Sequence, residues 1–293
     1  MTNILVTGAT GHLGGLTVEH LLDHADGGTI AALARDPSRL AHFSGRGVDV
    51  RRGDYADRAS LERAFSGVEK LLFISTTAFS DAIAHHRNVI DAASAAGVEH
   101  IHYTSVQHRP GSGVVISQVT DWEAYTIDAL ARSGMTVTLL RNSVYLDSLP
   151  LMLGDDIFKD GIRVPATSER VAFVARDDLA EANAIILTTD GHGGRDYTLG
   201  GSEAVSMPAI ASILSAIRGT PVGYEQITPA AFVAYRVARG FPEEAAAFLA
   251  DWFQAISAGE FSEVTGELAR IIGREPITAR EYLVGAYAAT PVD

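Results

Sequence analysis

The chain of 293 residues is long enough for two structural units, or for one large α/β unit with an appendage, and it is 47% apolar and 20% charged. This is an ordinary globular composition rather than a disordered, collagenous or solenoid one, and the lack of Cys excludes disulfides, Cys-ligated zinc, iron–sulfur clusters and thiolate nucleophiles. A net charge of −13 argues against a nucleic-acid surface, which needs clustered cations, and no apolar run of about 18 residues is present to span a bilayer.

The first segment, Asn3-Ile4-Leu5-Val6-Thr7, reads as a core strand, and with no basic leader before it the expected location is the cytoplasm. Further runs rich in Val, Ile and Leu occupy residues 29–34, 48–51, 70–74, 100–104 and 136–140. They lack polar alternation, as strands buried on both faces of a parallel sheet do. Helical patterns separate them. In the fourth connection Val89, Ala93 and Ala96 share a helix face, with Gly97 as the terminating glycine, and a helix over about residues 121–132 ends in Ser133-Gly134. Strand–helix repetition requires crossovers, so the fold class is α/β with a doubly wound parallel sheet.

After Leu140 the rhythm changes. Residues 149–168 contain Pro150, Gly154, Gly161 and Pro165 and read as irregular structure leaving the sheet. Residues 170–174 look like a strand returning to it, followed by a helix with Leu179, Ala182 and Ile186 on one face; residues 196–199 form a further short strand. Ser206-Met207-Pro208 and Thr228-Pro229 each set a hydroxyl N-cap before a proline in the first helical turn, and residues 243–257 make an Ala- and Phe-rich helix. The expected organisation is an α/β unit of residues 1–148, with 170–190 returning to its sheet, and a smaller, mainly helical lobe over 149–293.

Directly after the first strand comes Thr7-Gly8-Ala9-Thr10-Gly11-His12-Leu13-Gly14, opening a helix. A tight turn needs a residue that tolerates positive φ, and a pyrophosphate approaches backbone only where no Cβ blocks it. The third glycine lets helix and strand pack closely, and the helix start offers free N–H groups and a partial positive charge. A glycine-rich turn without a ligand is the alternative, but the position between strand and helix at the head of an alternating chain points to a nucleotide. After the second strand, where an NAD-selective site carries Asp or Glu, stands Arg35 followed by Asp36. Its planar guanidinium suits a 2′-phosphate; the alternative is a surface arginine paired with Asp36 or Asp54.

The spacing Gly-x-x-Gly-x-x-Gly resembles the extended and atypical short-chain dehydrogenases/reductases, and within them the NmrA-like group with its type 2 NAD(P)H:quinone oxidoreductases. The resemblance spans the chain. It is carried by the glycine turn, Ala34-Arg35-Asp36-Pro37, Gly53-Asp54-Tyr55-Ala56-Asp57, and Val68-Glu69-Lys70-Leu71-Leu72-Phe73-Ile74-Ser75. It continues through His86-Arg87-Asn88-Val89-Ile90, Tyr103-Thr104-Ser105 and Leu139-Leu140-Arg141-Asn142. It implies an NAD(P)-binding Rossmann fold with a substrate lobe, and NADPH as cofactor. The implied cofactor contacts are Gly8, Thr10, Gly11, His12, Leu13, Gly14, Arg35, Asp54, Tyr55, Ser75, Thr76, His86, Tyr103 and Thr104.

Ordinary short-chain dehydrogenases pair a Tyr with a Lys four residues later, which lowers the phenol pKa for proton transfer. No Tyr-x-x-x-Lys occurs here: Tyr125 has Ala129 at that spacing, and Asp128 stands where the quinone reductases carry Lys. A quinone can do without that relay, because its reduced anion is delocalised and collects protons from water. The protein then needs only to hold a flat acceptor against the nicotinamide. The pocket is expected beyond the carboxyl ends of the strands, with Ser105 and Asn142 as catalytic candidates and Phe79, Val106, Gln107 and Tyr145 facing the acceptor. The leading expectation is NADPH-dependent reduction of a quinone-like small molecule, without nucleic-acid or membrane partners and with a homodimer open. A non-catalytic NmrA-like redox sensor and a ketone or imine reductase are the alternatives. No metal is expected: the adjacent His85 and His86 point about 100° apart on a helix, and His100 and His102 lack a nearby third ligand. Trp122, Trp252 and Phe253 read as core, and Glu243-Glu244 as a solvated first helical turn.

Overall fold

A computed structural model describes residues 3–75, 81–166 and 168–287. The early apolar runs become strands β1 (Ile4–Val6), β2 (Ile30–Ala34), β3 (Asp49–Arg52), β4 (Lys70–Ile74), β5 (His100–Val106) and β6 (Thr136–Asn142). The helices between them are α1 (His12–His24), α2 (Ala41–Ser44), α3 (Arg58–Ala64), α4 (Ala82–Ala96) and α5 (Val119–Arg132). Next come α6 (Leu149–Leu153), α7 (Ile157–Asp160), β7 (Ile162–Val164), β8 (Arg170–Val171), α8 (Arg176–Thr188), β9 (Asp196–Leu199) and β10 (Val205–Ser206). The chain finishes with α9 (Met207–Arg218), β11 (Tyr224–Gln226), α10 (Pro229–Val237), α11 (Glu243–Ser257), α12 (Glu267–Ile272) and α13 (Ala279–Tyr287).

The main sheet has seven parallel strands in the order β3-β2-β1-β4-β5-β6-β9. Strand order reverses between β1 and β4, paired Val6 to Leu72, so a crevice opens at their carboxyl ends. Because side chains alternate, Leu5, Leu71, Phe73, Ile101 and Tyr103 pack against the α3–α4–α5 layer. Ile4, Val6, Leu72 and Leu140 turn the other way, into a core shared with α1, α8 and α12. The edge strand β3 departs from the expected two-sided burial and is only half-buried, since among the described residues no strand pairs with its outer side. Val119 and Trp122 of α5 join a third core with Leu214, Phe232, Phe253 and Phe261, which is the interior of the helical lobe.

The helix punctuation follows the sequence. Gly97 closes α4 with φ of 78°, a left-handed value that favours glycine. Ser206 Oγ accepts from Ala209 N at 3.4 Å and Thr228 Oγ1 from Ala231 N at 3.1 Å. One expectation is corrected. The strand read at 170–174 does not enter the main sheet: β8 pairs antiparallel with β10, Val171 opposite Val205, and only Val174 bridges to Tyr145. The open edge of β6 is taken instead by β9, with Leu140 opposite Tyr197. What returns to the sheet layer is α8, where Asn183 Nδ2 donates to Thr17 Oγ1 of α1 and Lys70 Nζ donates to the Leu187 carbonyl.

Candidate cofactor and acceptor site

The glycine turn is closed by its own backbone. Gly8 has φ of 61°, and Gly11 N donates to Gly8 O at 2.9 Å. A Cβ on Gly14 would stand 2.4 Å from Gly8 O and 2.7 Å from Gly8 C, so only glycine lets α1 pass this close to the turn. Gly11 caps α1 without any side-chain hydrogen bond, which leaves the first-turn N–H groups unclaimed by a capping side chain. Beside them a cleft of about 320 Å³ is lined by Thr10, Gly11, His12, Arg39, Leu40 and Phe43 among others. The Leu13 side chain is buried, so it contributes packing and, through its N–H, backbone.

Arg35 leaves the end of β2 exposed, and it forms no ion pair among the described residues. The pairing alternatives are thereby resolved. Asp36 is engaged elsewhere: its Oδ1 accepts from Ser38 Oγ at 2.7 Å and from Ser38 N at 3.1 Å, and those bonds, with Arg39 and Arg52 nearby, hold its pKa below the ordinary value. Asp54 Oδ1 accepts from Ala56 N. Arg39 and Arg52 likewise form no salt bridge among the described residues, so three arginines ring this end of a strongly acidic chain.

Tyr55 is a strut of the crevice. Its hydroxyl lies 2.5 Å from Thr7 Oγ1 and 2.9 Å from the Ile74 carbonyl, tying β3 to the ends of β1 and β4, and its ring meets Phe73 edge-on. At the next strand end Ser75 N donates to Thr104 Oγ1 at 3.0 Å. Thr76 and Phe79 lie outside the described residues. His86 and Tyr103 are corrected as cofactor contacts, because both are wholly buried in an aromatic cluster with Phe73 and Trp122. His86 Nδ1 is 2.6 Å from Thr126 Oγ1, whose own hydrogen goes to the Trp122 carbonyl, so Nδ1 carries the proton and donates. Burial, and to a lesser degree His85, pushes the His86 pKa down to about 4, so this ring is neutral.

Ser105, Val106 and Gln107 stand at the carboxyl end of β5, and Asn142 at that of β6, as the spacing predicts. Gln107 N donates to the Asn142 carbonyl at 2.9 Å, and Asn142 Nδ2 donates to Tyr145 OH at 3.1 Å. Arg176 lies over the Tyr145 ring at 4.4 Å. Asn142 Oδ1, Gln107 Oε1 and Ser143 Oγ are buried without a hydrogen-bond partner among the described residues. Such atoms cost free energy unless a ligand satisfies them. Tyr125 takes no part: its hydroxyl accepts from Arg87 Nε at 2.9 Å on the surface, and Asp128 pairs with Arg132 there.

Two residues were not singled out from the sequence. Asp147 lies 3.4 Å from His12 Nδ1 and accepts from Arg176 N, joining the starts of α1 and α8. Glu123 of α5 is the other: its Oε2 accepts from Ser105 Oγ at 3.0 Å and from Val106 N at 3.1 Å. Its signal was there to be read, since Val119, Glu123, Thr126 and Leu130 fall on one helical stripe whose other members are buried.

A seven-stranded parallel sheet wound on both faces, with a glycine turn beside its switch point, defines a protein of the Rossmann-like, dinucleotide-binding class of α/β folds. The chain belongs to the NmrA-like family, whose model matches residues 1–283. It is 35% identical to quinone oxidoreductase 2 of Escherichia coli over 279 residues, 95% of this chain and 96% of that one. The crystal structure of the E. coli NADPH-dependent quinone oxidoreductase complexed with NADPH superposes with a TM-score of 0.90 at 34% identity, covering 97% of this chain and 99% of that one. A Citrobacter triphenylmethane reductase complexed with NADP(H) matches equally, with a TM-score of 0.90 and 34% identity over 97% of this chain and 100% of that one.

Proposed function

We propose that this protein is an NADPH-dependent oxidoreductase that passes hydride to a quinone or a similar conjugated small molecule. The observation that carries the reading is Arg35, without an ion pair among the described residues, at the carboxyl end of β2 beside the strand that leads into the glycine turn. An exposed guanidinium whose acidic neighbour is occupied by Ser38 suits a 2′-phosphate. The rest of the site fits the same group. Gly8, Gly11 and Gly14 admit a pyrophosphate, the N–H groups of His12 and Leu13 face it, and Thr10 and Asp54 flank the nucleoside. At the other end Ser75 and Thr104 would border the ring, and Asn142 Oδ1, without a partner among the described residues, would accept from its carboxamide.

When bound, the cofactor supplies a hydride from its reduced nicotinamide. The strand-end residues Ser105, Val106 and Gln107, with Tyr145, hold the acceptor at attack distance and exclude water. The main sheet through β9, with α1 to α5, α8 and α12, forms the cofactor unit, and α6, α7, α9 to α11 and α13 with the two small sheets form the acceptor lobe. The reductase names of the relatives support this reading, as does Tyr125 lying away from the strand ends. Among the described residues no helix is long and apolar enough to cross a membrane, and we place the protein in the cytoplasm. The test is NADPH absorbance with simple quinones and then a ketone and imine panel, alongside direct cofactor binding. Oxidation by quinones is expected. Binding without oxidation by any acceptor would make the protein a dinucleotide-binding regulator.

A further inference from the structure

Glu123 is placed against an expected active-site hydroxyl in a way that a structural role does not require. Two donors, the Ser105 hydroxyl and the Val106 N–H, converge on Oε2, while Oε1 is buried with no hydrogen bond of good geometry among the described residues, although the Tyr103 hydroxyl faces the same carboxyl. A carboxylate would leave that second oxygen charged and poorly hydrogen-bonded in the interior, the costlier of its two states there. A neutral acid lowers the cost, because an uncharged carbonyl oxygen is easier to bury than a charged one. We infer that Ser105 and Glu123 form a two-member proton relay that protonates the acceptor as it receives hydride, an inference that rests on the function proposed above.

The direction of the 3.0 Å hydrogen bond decides what Ser105 can do. With Glu123 ionised, the Ser105 hydrogen points to Oε2 and is unavailable. With Glu123 neutral and its proton on Oε2, the acid donates to Ser105 Oγ, still accepts from Val106 N–H, and frees the serine hydrogen to face the acceptor. The balance is then complete. The nicotinamide gives up a hydride, the acceptor oxygen takes the Ser105 proton, and Ser105 Oγ takes the proton of Glu123 Oε2. The carboxylate left behind is reprotonated by solvent before the next turnover. The groups facing Glu123 are Tyr103 and Ser105 of β5, Arg141 of β6, and Tyr145. Arg141 opposes the neutral form only weakly, because Asp196 holds its guanidinium by two bonds of 2.6 and 2.9 Å. Burial prevails over the hydrogen bonds and Arg141, and raises the Glu123 pKa.

The test compares two acceptors in the parent and in Glu123→Gln, whose amide oxygen still accepts from Val106 N–H. A quinone needs a proton after hydride; a triarylmethyl cation dye becomes neutral on hydride alone. The variant should lose about a hundredfold in quinone turnover, the lower end of what a positioned general acid contributes, and should keep dye reduction and NADPH affinity within about twofold. Parent quinone turnover should fall as pH rises through the elevated Glu123 pKa, and that limb should vanish in the variant. An infrared carboxylic-acid carbonyl band, shifted in D2O, should persist in the parent to pH values above the ordinary carboxyl range and be missing from the variant. Equal loss with both acceptors would show a packing role, no loss with either would show that water supplies the proton, and a missing band in the parent would show an ionised Glu123; each overturns the relay. If the parent reduces neither acceptor, the proposed function fails, and the infrared band still decides whether Glu123 holds a proton.

Discussion

Replacing Arg35 with Ala isolates one contact. The guanidinium is exposed and makes no ion pair among the described residues, so its removal orphans no partner and should leave stability unchanged. A hydrogen bond to a charged group is worth roughly 1.5–3 kcal/mol net, and about 1.4 kcal/mol is tenfold in affinity. Arg35→Ala should therefore weaken NADPH by about ten- to a hundredfold. The lower half of that range is expected, because Arg39 and Arg52 stay beside the site and attract the phosphate through solvent. NADH lacks the phosphate and should change little. Arg35→Glu should go further and tilt preference towards NADH, since a carboxylate repels phosphate and accepts from a ribose hydroxyl. Titrating both cofactors by nucleotide fluorescence at fixed ionic strength is sufficient. Equal weakening of NADH and NADPH by Arg35→Ala would refute the reasoning, because it would make the side chain a support of the turn.

Gly14→Ala sets a Cβ 2.4 Å from the Gly8 carbonyl, so it should cost about 1–3 kcal/mol in denaturant unfolding and weaken both cofactors together; unchanged affinity would mean that the turn is not the phosphate cradle. Tyr125→Phe should leave quinone reduction within several-fold, since among the described residues the hydroxyl meets only Arg87, whereas a loss of about 10²–10⁴ would make Tyr125 catalytic. His86 has a folded pKa of about 4 against an ordinary 6.5, so the unfolded chain binds more protons between those values and stability falls as pH drops through that window. Its share is about 3 kcal/mol at 1.36 kcal/mol per unit, and His86→Gln should flatten the pH dependence of the urea midpoint there; an unchanged slope would place the proton elsewhere.

The inner early strands were legible because a sheet covered on both faces needs unbroken Val, Ile and Leu runs, as in Lys70–Ile74. The fate of 170–174 was not, since two residues of β8 pair with β10 through contacts that no local pattern encodes. His86 shows the opposite failure: Ala82, His86, Val89 and Ala93 lie on one buried stripe of α4, so periodicity already put the ring in the core while resemblance put it at the cofactor. Glu123 was passed over because a lone acid on a helix is usually solvated, and only the register of α5 against β5 brings it to Ser105. The glycine turn was clearest, because Gly8 answers to a positive φ and Gly14 to a backbone clash that any Cβ there would create.

The most direct measurement is anaerobic NADPH consumption with a simple quinone, followed by absorbance, with NADH run at the same concentration. The account predicts stoichiometric oxidation of NADPH to give the hydroquinone, much faster than with NADH at sub-saturating cofactor. Tight NADPH binding with no oxidation by the quinone would contradict it.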